Sequence, residues 1–349
     1  MISSSPAELA SRWIALRRDK PTLRIRDAAA SLGVAEAELV ALGLGTTATP
    51  LDSDVRALLS EMPLVGRVMC LTRNEHCVHE RHGRFEAVQV KAVHGLVLGP
   101  DIDLRLFLSQ WRYGFAVREA SAQGERASLQ FFDKSGEAVH KIYATAETDR
   151  AAFDALIERH RATVPAKLQI VAKPADTVDR PDGDIDIEGL RGAWRAMRDT
   201  HDFFGVLGTY KVGRMQALRL AGDAFARALP TRTLFSAFEL AAADATPIMV
   251  FVGNSGCIQI HTGPVKRLLW TPGWFNVLDP AFNLHLREQG VAHVFSVRKP
   301  TEDGVVTSIE AFDAQGRNIL LMFGARKPGK PELETWRSLV SRIERQAAS

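Results

Sequence analysis

Ten histidines and three cysteines are the side chains of this 349-residue chain best suited to hold a metal or carry nucleophilic chemistry, and their spacing narrows what they can do. The densest group is His76-Cys77-Val78-His79-Glu80-Arg81-His82. On an extended strand His76 and His82 share one face while His79 points to the other, so the run does not assemble a tetrahedral metal site. Cys70, Cys77 and Cys257 are too few and too far apart for a disulfide framework, and no CxxC pair suggests structural zinc, so they read as reduced, buried thiols. Gly43-Leu44-Gly45 lacks the rest of a dinucleotide fingerprint and does not follow a convincing strand. Redox chemistry on this chain would therefore draw its electrons from outside. A helix-turn-helix flavour in Asp27 to Glu38 is opposed by the near-neutral charge, 44 basic against 41 acidic residues for a net +3, and no nucleic-acid partner is expected.

The elements that position these groups come from a chain long enough for two domains. Its hydrophobic content of 46% and charged content of 24% are ordinary for a folded protein. Apolar runs such as Ile248 to Val252 are far short of the roughly 20 residues needed to span a bilayer, and Ile-Ser-Ser-Ser-Pro after Met1 is not a signal peptide, so a cytoplasmic location is expected.

The chain also repeats itself. An offset of 180 pairs Met69 with Met249, Asn74 with Asn254, Cys77 with Cys257, Gly83 with Gly263 and Pro100 with Pro280. The same register continues through Phe115 and Phe295, Arg118 and Arg298, Gly124 and Gly304, Ser128 and Ser308, Asp133 and Asp313, and Gly136 and Gly316. Chance would not select residues with special backbone roles at one fixed offset. Trp13-Ile-Ala-Leu-Arg and Trp194-Arg-Ala-Met-Arg match approximately, so each copy begins with a helical part. Leu64 to Thr72, Phe85 to Val93, Leu104 to Leu108 and Ser128 to Phe132 read as strands, and the Asp-x-x-Gly turns at 133–136 and 313–316 as hairpins. Helices are expected at Arg150 to His160 and Pro331 to Ala347. The fold class is α+β with an internal duplication, each half a large antiparallel sheet with flanking helices. Residues 1–171 form the first repeat, 172–188 the linker and 189–349 the second repeat.

Between linker and second core lies Trp194-Arg-Ala-Met-Arg-Asp-Thr-His201-Asp-Phe-Phe-Gly, followed by Arg214-Met-Gln-Ala. This segment resembles the iron-ligand segment of the HemS/HmuS family, bacterial cytoplasmic proteins of haem uptake and degradation. Further resemblance lies in Arg73-Asn-Glu-His-Cys-Val-His-Glu, Asp103-Leu-Arg-Leu-Phe-Leu-Ser-Gln-Trp111, Val250-Phe-Val-Gly-Asn-Ser-Gly-Cys257 and Arg298-Lys-Pro-Thr-Glu-Asp-Gly304. It covers essentially the whole chain in order. The resemblance implies two stacked sheets with haem in a cleft associated with the second half.

It further implies that His201 is the axial ligand of the haem iron, and that Arg105 approaches the other haem face from the first half. Arg214, Lys299 and Arg326 match positions near the propionates, and guanidinium forks suit carboxylates. Phe323, in Phe-Gly-Ala-Arg, stands where the family commonly has Tyr, so a hydroxyl contact is lost. His79 matches a first-half histidine able to bind a second or transient haem. Helical spacing places Met197, His201 and Phe204 along one face. Arginine is too weak a donor to hold iron, so the expected role of Arg105 is a hydrogen bond to a distal water or to dioxygen. Two functions follow from the resemblance: oxidative degradation of haem b to release iron, using O2 and an external reductant, or carriage of haem from an inner-membrane importer to a separate oxygenase. A reductase or an oxygenase is the corresponding partner.

Overall fold

Several of the residues repeated at an offset of 180 build turns. In the computed structural model, which describes residues 5–121, 124–163, 167–173, 178–327 and 329–348, the Oδ1 of Asp133 accepts the N–H groups of Ser135 and Glu137 at 2.9 and 3.1 Å. Asp313 does the same for Gln315 and Arg317 at 3.0 and 2.9 Å. Each turn closes on a glycine in the left-handed region, Gly136 at φ 75° and Gly316 at φ 77°, which glycine adopts without strain. Asn74 and Asn254 likewise each accept the N–H of the cysteine three residues on, at 3.0 Å in both copies.

The chain divides into two compact units. The first comprises Met1–Thr72, Arg81–Pro174 and Asn254–Ile258, and the second Arg73–Glu80, Ala175–Gly253 and Gln259–Ser349. Of the expected linker at 172–188, residues 174–177 lie outside the described residues.

The first unit opens with helices α1 (Pro6–Asp19), α2 (Ile25–Leu32) and α3 (Glu36–Ala41), followed by β1 (Ala48–Pro50) and α4 (Arg56–Glu61). Strands β2 (Gly66–Arg73), β3 (Cys77–Arg84), β4 (Ala87–Val90), β5 (His94–Leu98), β6 (Asp103–Phe107), β7 (Tyr113–Ser121), β8 (Gly124–Phe132) and β9 (Ala138–Thr148) precede α5 (Arg150–Arg159). One run is ordered β1-β7-β8-β9-β2 and continues into the end of β3; another is ordered β4-β5-β6. Val68, Cys70, Leu129 and Ile142 on the strands meet Leu58, Phe153 and Leu156 of the helices in one core. Alternation in β6 is clean: Leu104 and Leu106 are buried, while Asp103, Arg105 and Phe107 face the other way.

The second unit contains α6 (Ile187–Arg195), α7 (Asp202–Tyr210), α8 (Arg214–Ala221), β10 (Ala226–Leu229), α9 (Arg232–Ala243), β11 (Ile248–Gly253) and the latter part of β12 (Cys257–Gly263). These are followed by β13 (Leu268–Thr271), β14 (Trp274–Asp279), β15 (Phe282–Arg287), β16 (His293–Thr301), β17 (Gly304–Phe312), β18 (Asn318–Gly324) and α10 (Glu334–Ala348). Strand order is β10-β16-β17-β18-β11-β12 in one run and β13-β14-β15 in another. Helices α9 and α10 bury Phe238, Trp336 and Leu339 in the principal core. A separate core of Leu190, Trp194, Phe203, Ala217 and Phe225 binds α6, α7 and α8 to Phe295 and Phe312 of the sheet.

The expected α+β class and duplication hold, with α5 and α10 close to the anticipated spans. One local expectation fails. Residues Met197, His201 and Phe204 do not share a helical face, because the helix breaks between Ala196 and His201. Asp202 Oδ2 accepts the N–H groups of Arg198 and Asp199, both at 2.9 Å, and Asp199 Oδ1 accepts that of His201 at 2.8 Å. Such aspartate turns compete with helical hydrogen bonding. Met197 is buried as a result, while His201 and Phe204 are exposed.

Candidate functional site

His201 immediately precedes α7, with 86% of its side chain exposed. Its Nδ1 lies 2.5 Å from Asp199 Oδ1. An ionised carboxylate only accepts, so Nδ1 carries the proton and the Nε2 lone pair is left for an external partner. Hydrogen bonds from the His201 backbone and side chain hold the Asp199 carboxyl below its usual range, with Arg326 adding attraction. Sequence reasoning passed over Asp199; its signal was an acidic residue two positions before the candidate ligand.

Along α7, His201, Phe204, Gly205 and Gly208 fall within an arc of about 100° at 3.6 residues per turn. All four are exposed, Phe204 by 65%. A Cβ built on Gly205 or Gly208 meets nothing within 4 Å. Neither glycine is needed for packing inside the described protein, yet each costs a helix about 1 kcal/mol relative to alanine. The opposite face of α7 is anchored by Phe203, which packs against Trp194 with ring centroids 4.6 Å apart.

Phe203 also carries the cations. The Arg214 guanidinium lies 5.2 Å and the Lys299 ammonium 4.7 Å from its ring centre. Both cations meet Glu310: Arg214 donates from Nε and Nη2 at 2.8 and 2.9 Å, and Lys299 from Nζ at 2.8 Å. Ser308 Oγ donates to the same carboxylate at 3.0 Å. Burial pushes Glu310 up, but the two cations outweigh it and hold the carboxyl well below the usual range. Burial lowers Lys299 to about 8, against the pull of Glu310. Two cations on one carboxylate leave a net charge of +1. Glu310 was not anticipated; its repeat counterpart is the neutral Gln130, whose Nε2 donates to Ser128 Oγ at 3.0 Å.

Arg326 reaches Asp303 at 3.5 Å, and its Nε is buried with no hydrogen-bond partner among the described residues. Phe323 is half-buried on β18, its ring 5.2 Å from that of Phe251. In the first unit Arg105 on β6 pairs with Asp103, whose carboxyl is raised by burial despite that cation. It stands opposite Leu96 in the register, beside the exposed Leu96 and Leu98 of β5.

Several candidates are not brought to this cluster. His79 is fully buried, its Nδ1 2.9 Å from Gln259 Nε2 and its ring against Phe282, so no open face is left for a porphyrin. His76 sits in the turn before β3, 3.5 Å from Asp313. All three cysteines are buried and unbridged, and burial raises their thiols. Gly43 belongs to a tight turn in which a Cβ would strike Thr47 Oγ1, and α3 turns Glu36, Ala37, Leu39 and Val40 inward, with Glu36 2.6 Å from Lys141.

Residues 33–160 and 211–343 match the haemin-degrading HemS.ChuX domain, once in each copy of the repeat. The chain belongs to this family. It is 38% identical over 338 residues to the hemin transport protein HmuS of Yersinia pestis, covering 97% of both chains. Among solved structures, it superposes with a TM-score of 0.95 and 50% identity on holo-PhuS, a heme-binding protein from Pseudomonas aeruginosa, covering 97% of this chain and 99% of that one. The heme-degrading enzyme ChuS of Escherichia coli O157:H7 gives a TM-score of 0.91 at 38% identity, again covering 97% and 99%. No helix among the described residues is long and apolar enough to cross a membrane.

Proposed function

We propose that this protein binds haem b through His201 and degrades it oxidatively in the cytoplasm, with O2 as oxidant and electrons from an external donor. The observation that carries the reading is the exposed His201 imidazole, its Nδ1 tied to Asp199, on a helix face otherwise made of Phe204 and two glycines. Haem asks for an imidazole, an apolar surface and cations for two carboxylates. Arg214 and Lys299 are the cations held near this helix, through Phe203, and Arg326 acts near Asp199.

In this reading His201 Nε2 holds the iron and the α7 face supports the ring. Arg214 and Arg326, both partly exposed, take the propionates, while Lys299 is only 3% exposed, so the direct propionate contact expected of it gives way to a buried charge held on Glu310, the internal counter-ion that orders Arg214. Phe323 contributes apolar contact only, lacking a hydroxyl. The family resemblance gives Arg105 the remaining role, a cation that would steady negative charge developing on oxygen. His79 has no part in it.

The name of one relative favours a second reading, carriage of haem from an importer to a separate oxygenase, since HmuS is a hemin transport protein, whereas ChuS, a heme-degrading enzyme, favours the first. Haem-loaded protein given ascorbate or a reductase in air separates the two. Loss of the Soret band with release of iron supports degradation, and a stable ferrous haem supports carriage.

A further inference from the structure

We propose that Asp199 is a positioning residue that fixes the tautomer of His201 and strengthens it as an electron donor, so that the proposed iron ligand is a carboxylate-bound imidazole. The inference rests on the haem reading above.

One oxygen, Asp199 Oδ1, receives two donors from the same residue: the His201 backbone N–H at 2.8 Å and the ring Nδ1 at 2.5 Å. The ring torsion is thereby tied to the backbone, and a side chain exposed by 86% is held in one orientation. The backbone that carries this carboxylate is itself fixed, because Asp202 Oδ2 accepts the N–H groups of Asp199 and Arg198 at 2.9 Å each. With Nδ1 as the donor, only Nε2 offers a lone pair. A carboxylate on the remote nitrogen makes the coordinating nitrogen more basic, and such partners typically change metal affinity by about 10- to 100-fold. More donation to the metal favours the ferric over the ferrous state.

A merely structural aspartate would shape the turn and do nothing else. The substitution Asp199→Asn separates the roles, since the amide oxygen still accepts the backbone N–H and keeps the turn while the charge is lost. The experiment uses full-length wild type, Asp199→Asn, Asp199→Ala and His201→Ala. Each is titrated with haem, melted as apo-protein, and subjected to a mediated redox titration when loaded. The expected result for Asp199→Asn is an unchanged melting temperature, haem affinity reduced about 10- to 100-fold, and a ferric-to-ferrous balance shifted about tenfold toward ferrous, 59 mV for one electron. An unchanged potential in Asp199→Asn, with weakened haem binding confined to Asp199→Ala, overturns the inference and leaves Asp199 a turn residue. If His201→Ala binds haem with the wild-type spectrum and affinity, His201 is not the iron ligand and the role of Asp199 falls with it.

Discussion

Glu310→Gln should weaken the fold while strengthening haem binding, a divergence that few substitutions can produce. The carboxylate lies fully buried against the Arg214 guanidinium and the Lys299 ammonium, with three charge-assisted contacts of 2.8 to 2.9 Å. Removing one partner of a buried ion pair typically costs about 3–5 kcal/mol. Arg214 keeps 19% of its side chain exposed and can turn to solvent, and Lys299 can shed its proton more readily, so about 3 kcal/mol is expected. For haem the sign reverses, because propionates and Glu310 compete for the Arg214 guanidinium, which the substitution leaves without its internal counter-ion. One charge-assisted bond released to the ligand is worth about 1.5–3 kcal/mol, or roughly ten- to hundredfold in affinity. Urea unfolding of the apo-protein and haem titration on the same preparation read both quantities, with Arg214→Ala and haem dimethyl ester as references. If Glu310→Gln and Arg214→Ala weaken haem equally, and the ester loses as much as haem, the cluster is a structural clamp for Phe203 and does not recognise propionates.

Arg105→Ala should leave haem affinity nearly intact and slow haem loss in reductant by roughly 100-fold or more, the value of one positioned donor of about 2.7–4 kcal/mol; turnover at the wild-type rate would favour carriage. Because burial lowers Lys299 to about 8, haem affinity should fall as pH rises through 8, and Lys299→Arg should flatten that slope. An identical slope in the arginine variant would exclude Lys299 as its source. The sign for stability is opposite: taken alone, the depressed lysine disfavours the fold below pH 8 and this penalty is relieved between about 8 and 10.5. Gly208→Ala should raise apo stability by about 1 kcal/mol yet weaken haem binding by crowding the α7 face, which parallel melting and titration would show; unchanged affinity would mean the face carries no ring.

The repeat was legible because the residues preserved at an offset of 180 include turn builders with few substitutes: Asn74 and Asn254, Asp133 and Asp313, Gly136 and Gly316. The arrangement of β6, with Arg105 opposite the buried Leu104 and Leu106, followed from strand alternation alone. The break before α7 was not legible from apolar spacing. Met197, His201 and Phe204 mimic a helical stripe, and the decision falls to Asp199 and Asp202, whose side chains bind backbone N–H groups that a continuous helix would use. Nor was the cation cluster, since Glu310 lies 96 residues from Arg214 and reads on its own strand as one of three polar residues, with Thr307 and Ser308. Its one trace in the sequence is a departure from the repeat, a carboxylate where the first copy has Gln130.

The central claim is that His201 holds the iron, and the most direct measurement is an anaerobic haem titration of wild-type and His201→Ala protein followed by absorption spectroscopy. One tightly bound haem with an imidazole-ligated spectrum in the wild type, absent or greatly weakened in His201→Ala, is the predicted result. The same stoichiometry, affinity and spectrum in the variant would contradict the account and move the ligand to another residue.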